Sequence, residues 1–156
     1  MRLVLLLTLP LYVLDQITKF LVLANIPTHV TIPVIPGFFN LVQVHNTGAA
    51  FGMLKDNNAF FIGLASVALI AVAVMARREC FLDAPSRIGA ALLASGILGN
   101  LTDRLLHGYV VDFLDVILPW YGHWPAFNVA DSCICVAACL FLISGFTTPK
   151  AEKTQN

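Results

Sequence analysis

The chain has 156 residues, of which 58% are hydrophobic and 12% charged, with a formal net charge of zero. A soluble core of this length cannot bury that much apolar side chain, so the composition indicates a single integral membrane domain over residues 1–156. Zero net charge also leaves no basic surface for nucleic acid.

Four apolar stretches, about 3–23, 59–75, 87–105 and 128–146, are each long enough to cross roughly 30 Å of hydrocarbon as a helix. The first begins with Arg2 and an apolar run, as a signal peptide does. It is too long for one, is interrupted by Asp15 and Lys19, and lacks a clear small-residue cleavage site, so a retained helix is expected. Asp15 and Lys19 stand one helical turn apart, where an ion pair limits the cost of charge near the membrane. The connection at about 25–58 is long and is punctuated by Pro27, Pro33, Pro36 and Gly37 between runs rich in Val, Ile and Phe. This pattern predicts short strands at 30–34 and 38–44 in a small sheet at the membrane surface, with an amphipathic loop as the alternative. The sheet would present residues 46–52, rich in small side chains, as a turn that a substrate backbone could approach closely.

In the third stretch Gly96, Asn100 and Arg104 recur every four residues, with Gly99 and Asp103 beside them, a face that cannot look at lipid. A helix seam accounts for the glycines. It accounts less well for Arg104 unless Asp103 or another acid neutralises it, and Asn100 and Arg104 could instead donate hydrogen bonds to a partner acid or to substrate carbonyls near the outer surface. Asp112 lies in the last polar connection and Asp131 opens the last apolar segment, so a chain reversal can bring the two carboxyls together for acid/base chemistry. Ser95 lies inside a helix without a placed histidine. His29, His45, His107 and His123 are scattered without a paired ligand spacing, so no metal is expected. Cys133, Cys135 and Cys139 sit in the last apolar stretch and Cys80 in a connection, a distribution that indicates no disulfide framework.

The basic residues Arg2, Arg77, Arg78, Arg87, Lys150 and Lys153 fall on one side, against Lys55 alone in the opposite connections and Lys19 and Arg104 near outer helix ends, which sets both termini and the 147–156 tail in the cytoplasm and Asp112 outside. Three functional classes fit these features. An enzyme would have two interdependent acids at one membrane face. A proton-coupled transporter would want midplane charges and related repeats, and no repeat is seen. A scaffold would leave Asp112 without a role.

Four blocks, Asp15-Gln16-Ile17-Thr18-Lys19, Asn46-Thr47-Gly48-Ala49-Ala50-Phe51-Gly52, Gly99-Asn100-Leu101-Thr102-Asp103-Arg104 with Gly108-Tyr109-Val110-Val111-Asp112-Phe113, and Phe127-Asn128-Val129-Ala130-Asp131-Ser132, resemble bacterial lipoprotein signal peptidase, or signal peptidase II, in order along nearly the whole chain. The resemblance implies an intramembrane aspartic endopeptidase of the bacterial inner membrane. It would be monomeric and cofactor-free, would act among membrane lipids, and would remove the signal peptide before a diacylglyceryl-modified cysteine of a prolipoprotein. It implies that Asp112 and Asp131 are catalytic, that Asn46, Gly48, Asn100, Arg104 and Asn128 line or support the substrate site, and that Asp15 and Lys19 form a supporting polar pair. The fold it implies has four helices, a small extracytoplasmic sheet between the first two, and a short outer helix. Thr102 and Cys133 depart from the residues more usual there, which touches local packing only.

Overall fold

The computed structural model describes residues 2–48 and 54–147, with side chains for 6–48 and 54–146. Four helices, α1 (Arg2–Asn25), α2 (Asn58–Arg77), α3 (Ala84–His107) and α4 (Val129–Thr147), coincide with the four expected stretches to within a few residues. Three of them are long and apolar enough to cross a membrane, at Leu6–Asn25, Asn58–Arg77 and Val129–Phe146. They turn large side chains such as Phe20, Leu64, Val67 and Leu142 outward, as helices bathed in lipid do.

Helix α3 is the exception, and its packing explains why. It packs against all three other helices, and Gly89, Ala90, Ala91, Ala94, Gly96 and Gly99 are buried along it. Small residues let backbones approach closely, which is the main source of attraction between helices where lipid is as apolar as the side chains. A helix enclosed in this way can carry Asn100, Asp103 and Arg104, since its neighbours rather than lipid surround them. Its start is capped by Asp83, whose carboxylate accepts from the Ser86 amide at 2.9 Å and from the Ser144 hydroxyl at 3.0 Å, tying the far end of α4 to it. It ends at Gly108, whose φ of +81° is the left-handed conformation that glycine adopts without strain.

The sheet differs from the sequence expectation in its origin. Strands β1 (Ile32–Ile35) and β2 (Phe39–Asn46) lie between α1 and α2 as expected. They are joined by β3 (Val110–Leu118) and β4 (Gly122–His123) from the connection between α3 and α4, giving one antiparallel sheet in the order β1-β2-β3-β4. Asp112 is therefore on a strand and not in a loose polar connection. Its strand rests on the end of α1, where Val111 and Phe113 pack on Val22 and Ile26. Of the expected 46–52 turn, Thr47 and Gly48 are described while 49–53 lie outside the described residues, as does the tail from 148. No helix beyond these four stands among the described residues, so the short outer helix is not found there.

The seam carries a direct test. A Cβ on Gly99 would meet Asp15 Oδ2, with the Ala130 Cβ at 3.0 Å, whereas one on Gly63 in α2 would meet nothing within 4 Å. Gly99→Ala is expected to cost about 1–3 kcal/mol from overpacking, and Gly63→Ala to be neutral or slightly stabilising. Thermal unfolding of the two purified variants in one detergent checks the contrast.

Candidate active site

The local pattern Asn128-Val129-Ala130-Asp131 builds the start of α4. Asn128 is the N-cap: its Oδ1 accepts from the Asp131 amide at 2.8 Å, and Asp131 Oδ2 reaches back to the Asn128 amide at 3.2 Å. This reciprocal pair is a capping box with an aspartate in the third helical position. It fixes the side chain of Asp131 before any tertiary contact is counted.

The same Asn128, fully buried, reaches the other acid. Its Nδ2 donates to Asp112 Oδ1 at 2.8 Å. The approach is set by the chain before α4, since the Phe127 carbonyl accepts from the Leu114 amide at 2.8 Å and the Phe127 amide returns a bond to Leu114 at 3.1 Å. A single asparagine thus touches both carboxyls.

Asn46 supplies the second donor to Asp112, and a bulge delivers it. In β2 and β3 the pairing runs Asn40 with Asp115 and Leu41 with Leu114, then shifts by one to Val44 with Asp112 and Asn46 with Val110. Without that shift Asn46 would face the opposite side of the sheet, because the side-chain period is two. With it, Asn46 Nδ2 donates to Asp112 Oδ2 at 2.9 Å, while its Oδ1 accepts from the Gly48 amide at 3.0 Å, which leaves the amide one orientation.

Asp131 has its own second donor, Asn100 Nδ2 at 2.7 Å from Oδ1. Asn100 is oriented in turn because its Oδ1 accepts from Lys19 Nζ at 3.0 Å and from Asn128 Nδ2 at 3.2 Å. Each of the four carboxyl oxygens therefore receives one amide proton. Burial, and then the neighbouring charge of Asp131, push the Asp112 carboxyl up to about 7, against the opposing pull of Asn46, Lys19 and Asn128.

Asp15 and Lys19 do more than pair with each other. Lys19 Nζ lies 2.9 Å from Asp15 and 2.9 Å from Asp103. Asp15 Oδ1 accepts from the Ala130 amide at 2.8 Å, satisfying another donor of the first turn of α4. Asp103 Oδ2 accepts from the Val111 amide at 3.0 Å, holding the start of β3, and Gln16 Nε2 donates to Asp15 and Asp103. Asp103 thus pairs with Lys19 and holds β3, and makes no ion pair with Arg104 among the described residues; the neutralisation of Arg104 by Asp103, the alternative to a site role, does not take the form of a direct contact. Arg104 instead lies over the Phe61 ring, 4.3 Å from its centroid, and donates from Nη2 to the Gly48 carbonyl at 2.7 Å. Its Nη1 is buried with no hydrogen-bond partner among the described residues.

All the expected site residues, Asp112, Asp131, Asn46, Gly48, Asn100, Arg104, Asn128, Asp15 and Lys19, are thus brought into one assembly. Gln16, Phe61 and Asp103 join it without having been singled out as site members. Among the described residues no group of three or more His, Cys, Asp or Glu side chains is placed to hold a metal. His45 stacks on Tyr109 at 4.0 Å and His123 pairs with Asp115 at 2.9 Å. Ser95 is buried within α3 without a hydrogen-bond partner among the described residues, and so without a base.

The site opens onto a groove of about 860 Å³ lined above by Asn46, Gly48, Arg104, Asp112 and Asp131 and below by Leu64, Ala65, Ala68, Leu93, Ile97 and Ile134. Its walls are α2 and α4, which each pack on α3.

The fold and the site together define a multi-pass membrane protein with two buried carboxyls held by amides at the head of an apolar groove. The model of the family described as signal peptidase (SPase) II matches residues 7–147. Lipoprotein signal peptidase of Syntrophotalea carbinolica is 44% identical over 147 residues, covering 92% of this chain and 90% of that protein, and the one from Nitratidesulfovibrio vulgaris is 41% identical over 158 residues, covering 97% and 94%. A bacterial membrane enzyme solved by the in meso method at 2.3 Å resolution superposes with a TM-score of 0.87 at 32% identity, covering 98% of this chain and 94% of the other. The chain belongs to the signal peptidase II family.

The raised Asp112 carboxyl has a consequence for stability. Its folded value of about 7 lies above the ordinary 3.8, so the native state holds the proton more tightly than the unfolded chain. The associated cost is absent below about pH 4, grows as pH rises, and is complete above about 7, where it amounts to roughly a few kcal/mol. Asp112→Asn removes this dependence. Its melting temperature relative to the parent is expected to rise between about pH 5 and about pH 8, and a pH-independent difference would contradict the assignment.

Proposed function

We propose that the chain is an intramembrane aspartic endopeptidase that removes the signal peptide from diacylglyceryl-modified prolipoproteins by cleaving just before the lipidated cysteine. Membership of the signal peptidase II family makes the chain a peptidase of lipoprotein maturation. The observation that carries the aspartic reading is the carboxyl pair bridged by Asn128, one member of which titrates near neutrality.

Water is a poor nucleophile and an amide nitrogen a poor leaving group, so one carboxyl must take a proton while the other gives one. Two neighbouring carboxyls in an enclosed site do not both ionise readily and share a single proton near neutral pH. The protonated member polarises the scissile carbonyl as the ionised member draws a proton from the attacking water. Collapse of the tetrahedral intermediate then returns a proton to the departing amine. The four amide donors fix both carboxyls, so little reorganisation accompanies these transfers. The Nη1 of Arg104, without a partner among the described residues, and the adjoining Asn46-to-Gly48 turn are suited to hold substrate carbonyls, and the apolar groove between α2 and α4 to receive hydrocarbon.

In this reading the domain is a single unit whose four helices all cross the bacterial inner membrane. Both termini are cytoplasmic, the sheet and site lie on the outer side, and the enzyme works as a monomer. Helix α3 crosses within the enclosure of the other three.

Asp112→Asn and Asp131→Asn are each expected to lower cleavage of a lipid-modified precursor by roughly 100-fold or more while inserting and purifying like the parent. Turnover by either folded variant at near-parental rate would remove that residue from the chemistry. The parent should show a bell-shaped pH dependence with two apparent pKa values belonging to the pair, because full protonation removes the base and full ionisation removes the acid. Chelators should leave it unaffected.

Orientation is tested separately. In intact cells an impermeant thiol reagent is expected to modify Asn57→Cys, at the start of α2, and to spare Cys80 at its other end; the reverse pattern would invert the topology.

A further inference from the structure

The sheet carries almost no charge. No Asp, Glu, Lys or Arg occurs from Phe20 to Leu54, or from Val116 to Ala130, and the two acids of β3, Asp112 and Asp115, are both buried. Water-facing protein surfaces are about 25–35% charged. The exposed side chains here are instead Val34, Ile35 and Phe38 around β1, and Trp120, Tyr121 and Trp124 around the β3–β4 turn, with Trp120 83% exposed.

We propose that this sheet is a lipid-binding surface, immersed at the boundary between headgroups and acyl chains, with the β3–β4 turn as its aromatic anchor. The proposal is independent of the catalytic reading. Two features favour lipid over a protein partner. The surface is continuous with one that already faces lipid, since β3 sits on the end of α1 through Val22 and Ile26, next to the outward-turned Phe20 and Leu21. Tryptophan and tyrosine are also the side chains that settle at this boundary, apolar ring inward and N–H or O–H toward water.

The turn is stiff enough to act at a distance. The Trp124 amide donates to the Val116 carbonyl at 2.8 Å and the Tyr121 amide to Leu118 at 3.2 Å. Asp112 lies near the start of the same strand, about 20 Å from the turn along it, while Trp124, bonded to Val116, also lines the groove that holds Asp112. An anchor at one end of β3 therefore fixes the depth of a site carboxyl at the other.

The chain itself supplies the probe, because Trp120 and Trp124 are its two tryptophans. The full-length protein is reconstituted in phosphatidylcholine nanodiscs, which leave both faces open to solvent, with acyl chains brominated at graded depths. Tryptophan emission is expected to be blue-shifted, quenched most by the shallowest bromines, progressively less by deeper ones, and little by aqueous iodide. Trp120→Phe and Trp124→Phe assign the signal to each ring. Strong iodide quenching with no dependence on bromine position would place the sheet in water and overturn the proposal. Insensitivity to both quenchers would mean that protein covers the surface and would overturn it equally, and cross-linking at several protein concentrations would then show whether a second copy does so.

Discussion

One ammonium group holds this site together. Lys19 Nζ contacts Asp15, Asp103 and Asn100 within 3.0 Å while almost wholly buried. Removing one partner from such a buried set typically costs about 3–5 kcal/mol, whereas replacing the whole set with apolar side chains is often neutral. Stability alone therefore does not explain the network. What it supplies is position: Asp15 fixes the first turn of α4, Asp103 fixes the start of β3, and Asn100 fixes Asp131. The two acids outnumber the lysine by one charge. The excess is met by the Ala130 and Val111 amides, the Gln16 carboxamide and the positive end of α4.

This arrangement also separates the parts of the site by the kind of force that places them. Asp131 is held locally, by its own helix cap, and would adopt much the same geometry wherever α4 began. Asp112 is held by long-range pairing, through a bulge in β2 and a return strand from Phe127. The chain that links the two acids is short, but the contacts that orient them come from α1, α3, the start of α4 and the sheet. Local perturbation of the sheet should therefore misplace Asp112 more readily than Asp131.

The same distinction governs what could be read in the sequence. The helices were legible because apolar length is a strong, local signal, and their bounds differ from the expected ones by at most three residues at either end. The polar face of α3 was legible as a face, but its burial was needed to explain why Arg104 stacks on Phe61 and leaves Asp103 to Lys19. The capping box was present in Asn128-Val129-Ala130-Asp131 and could have been recognised from spacing alone. Strand β3 was missed because Tyr109-Val110-Val111-Asp112-Phe113-Leu114-Asp115 lacks clean alternation: one face carries a site acid and the other rests on α1. The bulge leaves no sequence mark at all, so the meeting of Asn46 with Asp112 had no signal except family resemblance.

In the proposed reading, hydrolysis inside a membrane must reconcile a need for water with a substrate anchored in hydrocarbon. The groove divides these demands along its length. Its upper part holds the polar side chains Asn46, Asn100, Arg104, Asp112 and Asp131, where the sheet meets the ends of α3 and α4, and its lower part is apolar between α2 and α4. Placing Asp112 on a strand and Asp131 on the first turn of a helix puts both carboxyls at that junction. Had both been set on helices deeper in the bundle, the desolvation that already raises Asp112 to about 7 would drive it further, until no ionised base remained at neutral pH. In that reading the placement of Asp112 on the sheet is a chemical variable as well as an architectural one: it sets how much water, and therefore how much charge, the pair can hold.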